Sequence, residues 1–421
     1  MKNRILENIG WLVMDRFLML FLQFFVGIKV ANYYGSETYG VYSYGLAIIG
    51  FSPIILEVMN GRVIKEYYGE DFNRVVSVVS TFKKLASLGI LLVVIVLGHF
   101  IGGSREFYYL LILLALENVI ISATGGIENY FEFKLLSKNM VVANNIVKFL
   151  SYGLQYGGIL LGYSIMIIPG IRIVTGIIRW IILERFYIKT FGVRVKNVLD
   201  LSLMKKIIGE SYYLWISFIA FIVYTQVDRV MIGSILGDRE VGVYTIAVQL
   251  SSILAILITP FQNSVYPKLM ELFRKNYGEY RKKYLQMNCM FTQVYLVITI
   301  ISMVVVKYAF PYIYSQEYSG AVVCYFILCI SIFFKANGAL QTGHMTLKKI
   351  TKKSFYKTLG GLFINMGLNL YLIPRYGIYG AAWATGITQI FTMFLFDLFI
   401  REYREQFIIQ LKSFNPFNMV I

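Results

Sequence analysis

Nine basic residues fall inside stretches of this chain that are otherwise apolar enough to cross a membrane: Arg16, Lys29, Lys83, Lys84, Lys148, Arg172, Arg179, Arg229 and Lys335. Five acids share those stretches, Asp15, Glu57, Glu117, Asp228 and Asp397. An ionised side chain near the centre of a bilayer costs at least about 2.5–3.5 kcal/mol, so each such group must face a partner, water or a bundle interior. Internal pairing cannot neutralise this surplus of positive charge, and a water-filled cavity that receives an anion accounts for it. Arginine offers a planar fork of donors that suits phosphate oxygens, and lysine a mobile point charge. Arg16, Lys148, Arg172, Arg179, Arg229 and Lys335 are therefore the candidate anion-binding residues. Lys148 and Arg179 lie near mid-segment, where a side chain cannot easily reach the interface. Lys29, Lys83 and Lys84 lie closer to segment ends, where the stem can carry its charge out to water. For any one of these residues an interhelical ion pair is an equally good reading. Asp15-Arg16 and Asp228-Arg229 are sequence neighbours, but adjacent helical residues point about 100° apart, so each needs a partner on another helix. Glu57, Glu117 and Asp228 are candidates for ion coupling: desolvation favours proton uptake, and a basic neighbour opposes it.

The elements that must position these groups follow from composition. Hydrophobic residues make up 57% of 421, and the mean hydropathy is +0.64. A helix needs about 20 apolar residues to span the hydrocarbon, which fills this length with about twelve crossings and leaves no room for a sizeable extramembrane domain. The expected fold is an all-α integral membrane protein. Spans are expected near 9–31, 41–61, 76–98, 107–127, 139–162, 164–186, 211–236, 241–264, 285–307, 320–341, 355–373 and 380–400. The first is expected as an uncleaved helix. Counted with the span ends that border them, one set of alternate connections holds 27 basic residues and the other four, Arg105, Arg239, Lys307 and Arg375. The asymmetry orients the chain as a multi-pass protein with both termini in the cytoplasm. It also explains the net charge of +17 without nucleic acid, since no basic face with interleaved aromatics stands apart from the spans.

The longest cytoplasmic connection divides the chain into an N-terminal six-helix bundle (1–186), a basic linker (187–210) and a C-terminal six-helix bundle with a short tail (211–421). Gly35-Ser36-Glu37-Thr38-Tyr39-Gly40-Val41-Tyr42 and Gly237-Asp238-Arg239-Glu240-Val241-Gly242-Val243-Tyr244 share Gly-x-x-x-x-Gly-Val-Tyr at an offset of 202. Both join the first span of a half to its second, as two parallel repeats require. Tyr376-Gly377-Ile378-Tyr379-Gly380-Ala381-Ala382 opens the last span in a similar way. Glycine permits the positive φ of a tight reversal, a structural role.

Chemistry is not expected. No Gly-x-x-x-x-Gly-Lys-Ser/Thr phosphate cradle is present, and no His-Glu-x-x-His or Gly-x-Ser-x-Gly. His99 and His344 stand apart from any catalytic set, and Cys289, Cys324 and Cys329 have no metal-ligand spacing. No metal or cofactor is expected. Many of the 33 tyrosines cluster at span ends, most of them as interfacial anchors.

With the twelve-span plan, the region Asn8-Ile9-Gly10-Trp11, the turn Tyr34-Gly35-Ser36-Glu37-Thr38-Tyr39-Gly40, Asp228-Arg229-Val230-Met231-Ile232-Gly233 and Gly242-Val243-Tyr244-Thr245-Ile246-Ala247, nearly the whole chain resembles bacterial polysaccharide repeat-unit flippases of the Wzx type. The resemblance implies a MATE-like fold of the multidrug/oligosaccharidyl-lipid/polysaccharide superfamily. It also implies alternating access that moves an undecaprenyl-diphosphate-linked oligosaccharide from the inner to the outer leaflet of the bacterial cytoplasmic membrane. O-antigen or capsule would be the product, membrane lipids the surroundings, H+ or Na+ the coupling ion, and a polysaccharide polymerase and chain-length regulator the partners. A diphosphate headgroup suits a basic cavity, whereas a cation-exporting drug pump of the same fold would carry an acidic one. Two other readings stand beside it: a cation-coupled multidrug exporter, and a membrane glycosyltransferase or polymerase.

Overall fold

Helix dominates every part of the chain that the computed structural model describes, residues 2–69, 71–101, 104–350 and 352–419. The side chains of 2–10, 12, 13, 15–17, 20, 99, 101, 352, 354 and 355 also lie outside the description. The helices are α1 (Lys2–Ile49), α2 (Phe72–Ile101), α3 (Arg105–Ser122), α4 (Gly125–Phe133), α5 (Ser137–Leu160), α6 (Ile167–Phe191) and α7 (Leu201–Leu236). Then come α8 (Asp238–Ala255), α9 (Ile258–Lys275), α10 (Tyr277–Ile313), α11 (Gly320–Asn337), α12 (Gln341–Leu347), α13 (Lys352–Ile390) and α14 (Arg404–Lys412). Among the described residues, eight helical stretches are long and apolar enough to cross a membrane. Two of these, Phe21–Tyr67 and Tyr356–Phe399, contain bends at Gly35 and Gly377, and each supplies two crossings. The helices α5 and α6, with 24 and 25 residues, are long enough but too polar for that group. They complete the twelve crossings that hydropathy predicts.

The bends explain why glycine recurs. Gly35 has φ 76°, ψ 169° and Gly237 has φ 98°, ψ 177°, a region that only glycine occupies without strain. The repeat seen in the sequence is thus a repeat of backbone geometry. Gly377 (φ 59°, ψ −143°) makes the corresponding bend in α13, three residues after Pro374. The second span of each half is also discontinuous. In the first, helix stops at Ile49 and resumes at Pro53–Leu56; in the second, α8 ends at Ala255 and α9 starts at Ile258. Trp215 Nε1 donates to the carbonyl of Ile54 (2.6 Å), holding the first break.

The chain forms two compact units, Met1–Ile222 and Val223–Ile421. The division falls inside α7, and the stretch expected as a linker is helix to Phe191, an extended segment, and then the start of α7. Asp200 caps that helix, accepting from the Leu203 amide (3.0 Å) and from Arg74. The Leu203 amide first, and the Arg74 guanidinium with it, hold the Asp200 carboxyl below its usual range. In the first unit two clusters form the core, one around Met59, Ile64, Val79 and Ile207, the other around Ile127, Phe131, Leu183 and Tyr187. Close approach of α4 to α2 depends on Gly126, where a Cβ would lie 2.4 Å from the carbonyl oxygen of Val76. In the second unit Phe261 stacks on Phe291 (3.6 Å between centroids), and Leu269, Tyr280, Tyr284, Leu340 and Ile409 form a further cluster. Ile409 belongs to α14, so the C-terminal helix is part of that core.

Candidate functional site

Three of the expected anion-binding residues of the first unit, Lys148, Arg172 and Arg179, lie on α5 and α6. Arg172 and Arg179 lie seven residues apart on α6, two turns or about 10.5 Å along one face. Arg172 Nη2 pairs with Glu117 of α3 at 2.8 Å, and its Nη1 donates to the Tyr42 hydroxyl at 2.9 Å. Its charge also acts on Tyr152 of α5. Arg179 is more enclosed: Nη2 pairs with Glu128 of α4 at 3.0 Å, Nε donates to Asn144 of α5 at 2.8 Å, and Nη1 donates to Thr124 at 3.1 Å. The Thr124 hydroxyl in turn donates to Glu128 (2.6 Å). Lys148 lies one turn beyond Asn144 and one turn before Tyr152 on α5, partly buried. Three cations thus occupy one polar strip through an apolar bundle. The side chain of Arg172 keeps 35% of its surface accessible and that of Arg179 14%, so Arg172 is the more available to a ligand.

Lys83 is buried and pairs with Glu57 beside the broken second span. Gly125 leaves room for its stem, since a Cβ there would lie 2.5 Å from the Lys83 Cδ. Lys84 donates to Asn197 (2.9 Å) and lies over the Trp180 ring. Arg16 is on α1, and its side chain lies outside the described residues, as does that of Asp15.

The second unit has a different centre. Asp228 of α7 is buried and accepts from Tyr244 (3.0 Å), Asn369 (2.6 Å) and Thr385 (2.5 Å). These three donors are neutral groups from α8 and the two limbs of α13. Asn369 also donates to Asn365 (3.1 Å), and its own Oδ1 is buried without a hydrogen-bond partner among the described residues. Arg229, partly buried, is the next residue of α7. Nearer the tail, Asp397 accepts from Lys357 (2.8 Å) and from Gln341. Lys335 is exposed at the end of α11, with no hydrogen bond or ion pair among the described residues.

Tyr42 and Tyr244, the last residues of the repeated motif, both present their hydroxyls to the charged centre of their own unit. Sequence reasoning gave the motif a turn role and missed this. It also missed two partners. Glu128 lies one residue past the span expected at 107–127, and Lys357, at the start of the span expected at 355–373, counts among the cytoplasmic basic residues, whereas α4 and α13 carry both as helix into ion pairs with Arg179 and Asp397.

The polysaccharide biosynthesis protein family profile matches residues 5–273, more than half of the sequence. The chain belongs to this family. Over 404 residues it is 24% identical to the uncharacterized membrane protein MJ1375 of Methanocaldococcus jannaschii, covering 90% of this chain and 93% of that one. Its fold resembles that of the lipid II flippase MurJ in an inward closed conformation, with TM-score 0.72, 15% identity, and coverage of 96% of this chain and 90% of that one. It also resembles a multidrug resistance MATE transporter of the MOP superfamily in an inward-facing conformation, with TM-score 0.69, 13% identity, and coverage of 93% and 99%. At these identities the structural likeness establishes the fold. The family match and this MATE-like architecture agree with the resemblance read from the sequence.

Proposed function

We propose that this member of the polysaccharide biosynthesis family is a flippase for a lipid-linked oligosaccharide. In the fuller form of this reading it moves an undecaprenyl-diphosphate-linked repeat unit from the cytoplasmic to the outer leaflet by alternating access, supplying O-antigen, capsule or a related surface polysaccharide. The observation that carries the reading is the strip of Lys148, Arg172 and Arg179 on α5 and α6, the two long helices too polar to count as ordinary spans. A diphosphate is the anion that such a strip would favour, because Arg172 and Arg179 offer forked donors and Lys148 a mobile charge. Glu117 and Glu128 neutralise the two arginines in the absence of substrate, so an arriving diphosphate exchanges one anion for another instead of meeting bare charge in a low-dielectric site.

Asp228 supports coupling to H+ or Na+. A buried carboxylate held by neutral donors gains most from a proton or small cation, and the orphaned Oδ1 of Asn369 adds a second acceptor beside it. This centre is also what a cation-coupled drug exporter on the same fold would use, which makes that exporter the second reading.

Deleting the gene and extracting polyprenyl-linked intermediates tests the first. Wild-type complementation should clear accumulated lipid-linked repeat units and restore surface glycan, and Lys148→Ala with Arg179→Ala should do neither. Normal glycan and normal intermediates in the deleted strain, where no redundant flippase exists, would sink it and move drug export to the front.

A further inference from the structure

A cavity of about 520 Å³ opens at the end of the second unit where the bend at Gly237 meets the bend at Gly377. The charge asymmetry of the connections places this end outside. Arg239, Glu240, Glu317, Ser319, Tyr376 and Tyr379 line the cavity, and all but the partly buried Glu240 are exposed. Small-ligand sites run from about 300 to 1,000 Å³ and pair apolar surface with a few convergent polar groups. Here two phenol rings face two carboxylates, one guanidinium and one hydroxyl.

The first unit shows what this corner looks like when closed. There the bend at Gly35 meets the turn at Gly162, and the Tyr34 hydroxyl donates to the carbonyl of Tyr163 at 2.9 Å. Tyr33 packs edge-on against Tyr34 (4.9 Å) and reaches within 3.7 Å of a Cβ placed on Gly162. At the repeat offset, Leu236 takes the place of Tyr34. Leucine has no hydroxyl to bridge the two turns, and its Cδ1 only touches the position of a Gly377 Cβ (4.0 Å). Arg239 and Glu240 take the places of Glu37 and Thr38. Gly320 makes further room, since a Cβ there would lie 3.4 Å from the Tyr379 hydroxyl. The repeat has thus been altered at several positions that together open this corner and make it polar.

We infer that this cavity is a subsite for sugar rings of the glycan as it emerges on the outer face. The Glu240 and Glu317 carboxylates accept from vicinal hydroxyls, Arg239 donates to ring or hydroxyl oxygens, and the exposed Tyr376 ring covers the apolar face of a pyranose. The inference rests on the proposed transport of a lipid-linked oligosaccharide.

The test is saturation-transfer NMR on the full chain in nanodiscs, with lipid-free maltotriose, chitotriose and trigalacturonic acid as probes at millimolar concentration. At least one probe should show transfer to wild type, reduced about tenfold by Glu240→Gln with Tyr376→Ala and clearly reduced by the conservative Glu240→Gln alone. No transfer from any probe, equal transfer to wild type and both variants, or a calcium-induced shift of the cavity without sugar binding would overturn it. Sugar binding is measured without transport. Its failure alongside normal glycan complementation removes only the subsite, whereas failed complementation by wild type removes the transport reading itself.

Discussion

The hydroxyls of Tyr42 and Tyr244, residues at the same place in the two repeats, serve charges of opposite sign. Tyr42 accepts from the guanidinium of Arg172 at 2.9 Å, and Tyr244 donates to the carboxylate of Asp228 at 3.0 Å. One repeated arrangement, a tyrosine carried inward by the helix after a glycine bend, supports a cation centre in one unit and an anion centre in the other.

That division predicts separable phenotypes. Tyr42→Phe and Tyr244→Phe should each cost about 1 kcal/mol in thermal unfolding, the value of one hydrogen bond inside a membrane bundle. If Asp228 couples transport to H+ or Na+, only Tyr244→Phe should move the pH or sodium dependence of transport in proteoliposomes. An equal shift from Tyr42→Phe would show that the two centres are not specialised.

The bends give a second prediction with an internal control of opposite sign. Gly35→Ala and Gly237→Ala place a Cβ in backbone that L-residues avoid, costing about 1–3 kcal/mol each. Gly27, in mid-helix, has nothing within 4 Å of an added Cβ, so Gly27→Ala should stabilise by up to about 1 kcal/mol. Melting temperatures of the three variants in detergent check the signs, and a neutral Gly237→Ala would refute the strain argument.

Attachment of α14 should weaken in acid. Burial raises the Glu405 carboxyl, but the opposing pull of Lys348 and of Tyr277 prevails and holds it below its ordinary value of 4.5. Arg281 approaches at 3.4 Å. A carboxyl depressed in the folded state contributes stability above its unfolded pKa and loses it as pH falls through the folded value. Hydrogen exchange across 404–412, taken relative to the intrinsic rate at each pH, should therefore be strongly slowed at neutral pH and less so below pH ~4. Lys348→Ala should speed it at neutral pH by a few-fold, about 1 kcal/mol or less for a partly exposed pair. Unchanged exchange in Lys348→Ala would assign the docking wholly to the apolar contacts of Ile409.

Much of this was legible in the sequence because lipid imposes a simple rule. Apolar runs of a fixed length marked the spans, and the glycine repeat marked both Gly35 and Gly237. What hydropathy could not supply was the true ends of helices. Glu128 falls just past an expected span and Lys357 counts as a cytoplasmic charge, yet each is helical and forms an ion pair, with Arg179 and Asp397. Three of the nine cations, Lys83, Arg172 and Arg179, pair with carboxylates among the described residues, and one of those carboxylates, Glu128, lay beyond the expected span. Nor could one sequence show that Asp228 would be met by Asn369 and Thr385, because α7 and the limbs of α13 come together only through folding.

The Arg172–Glu117 pair separates stability from function. Glu117→Gln leaves Arg172 without a counter-charge and should destabilise the first unit by about 2 kcal/mol, below the ~3–5 kcal/mol of a fully buried pair because the arginine is one-third accessible. Adding Arg172→Gln should recover much of that loss, since two neutral side chains leave no buried charge. Transport should not follow the same order. If Arg172 grips a diphosphate, Glu117→Gln frees the guanidinium and retains or strengthens substrate binding, whereas the more stable double variant loses it. Arg172→Lys keeps the charge but not the fork, and should fall between. A double variant that transports as well as it folds would make Arg172 a structural partner only and shift the burden of anion recognition to Lys148.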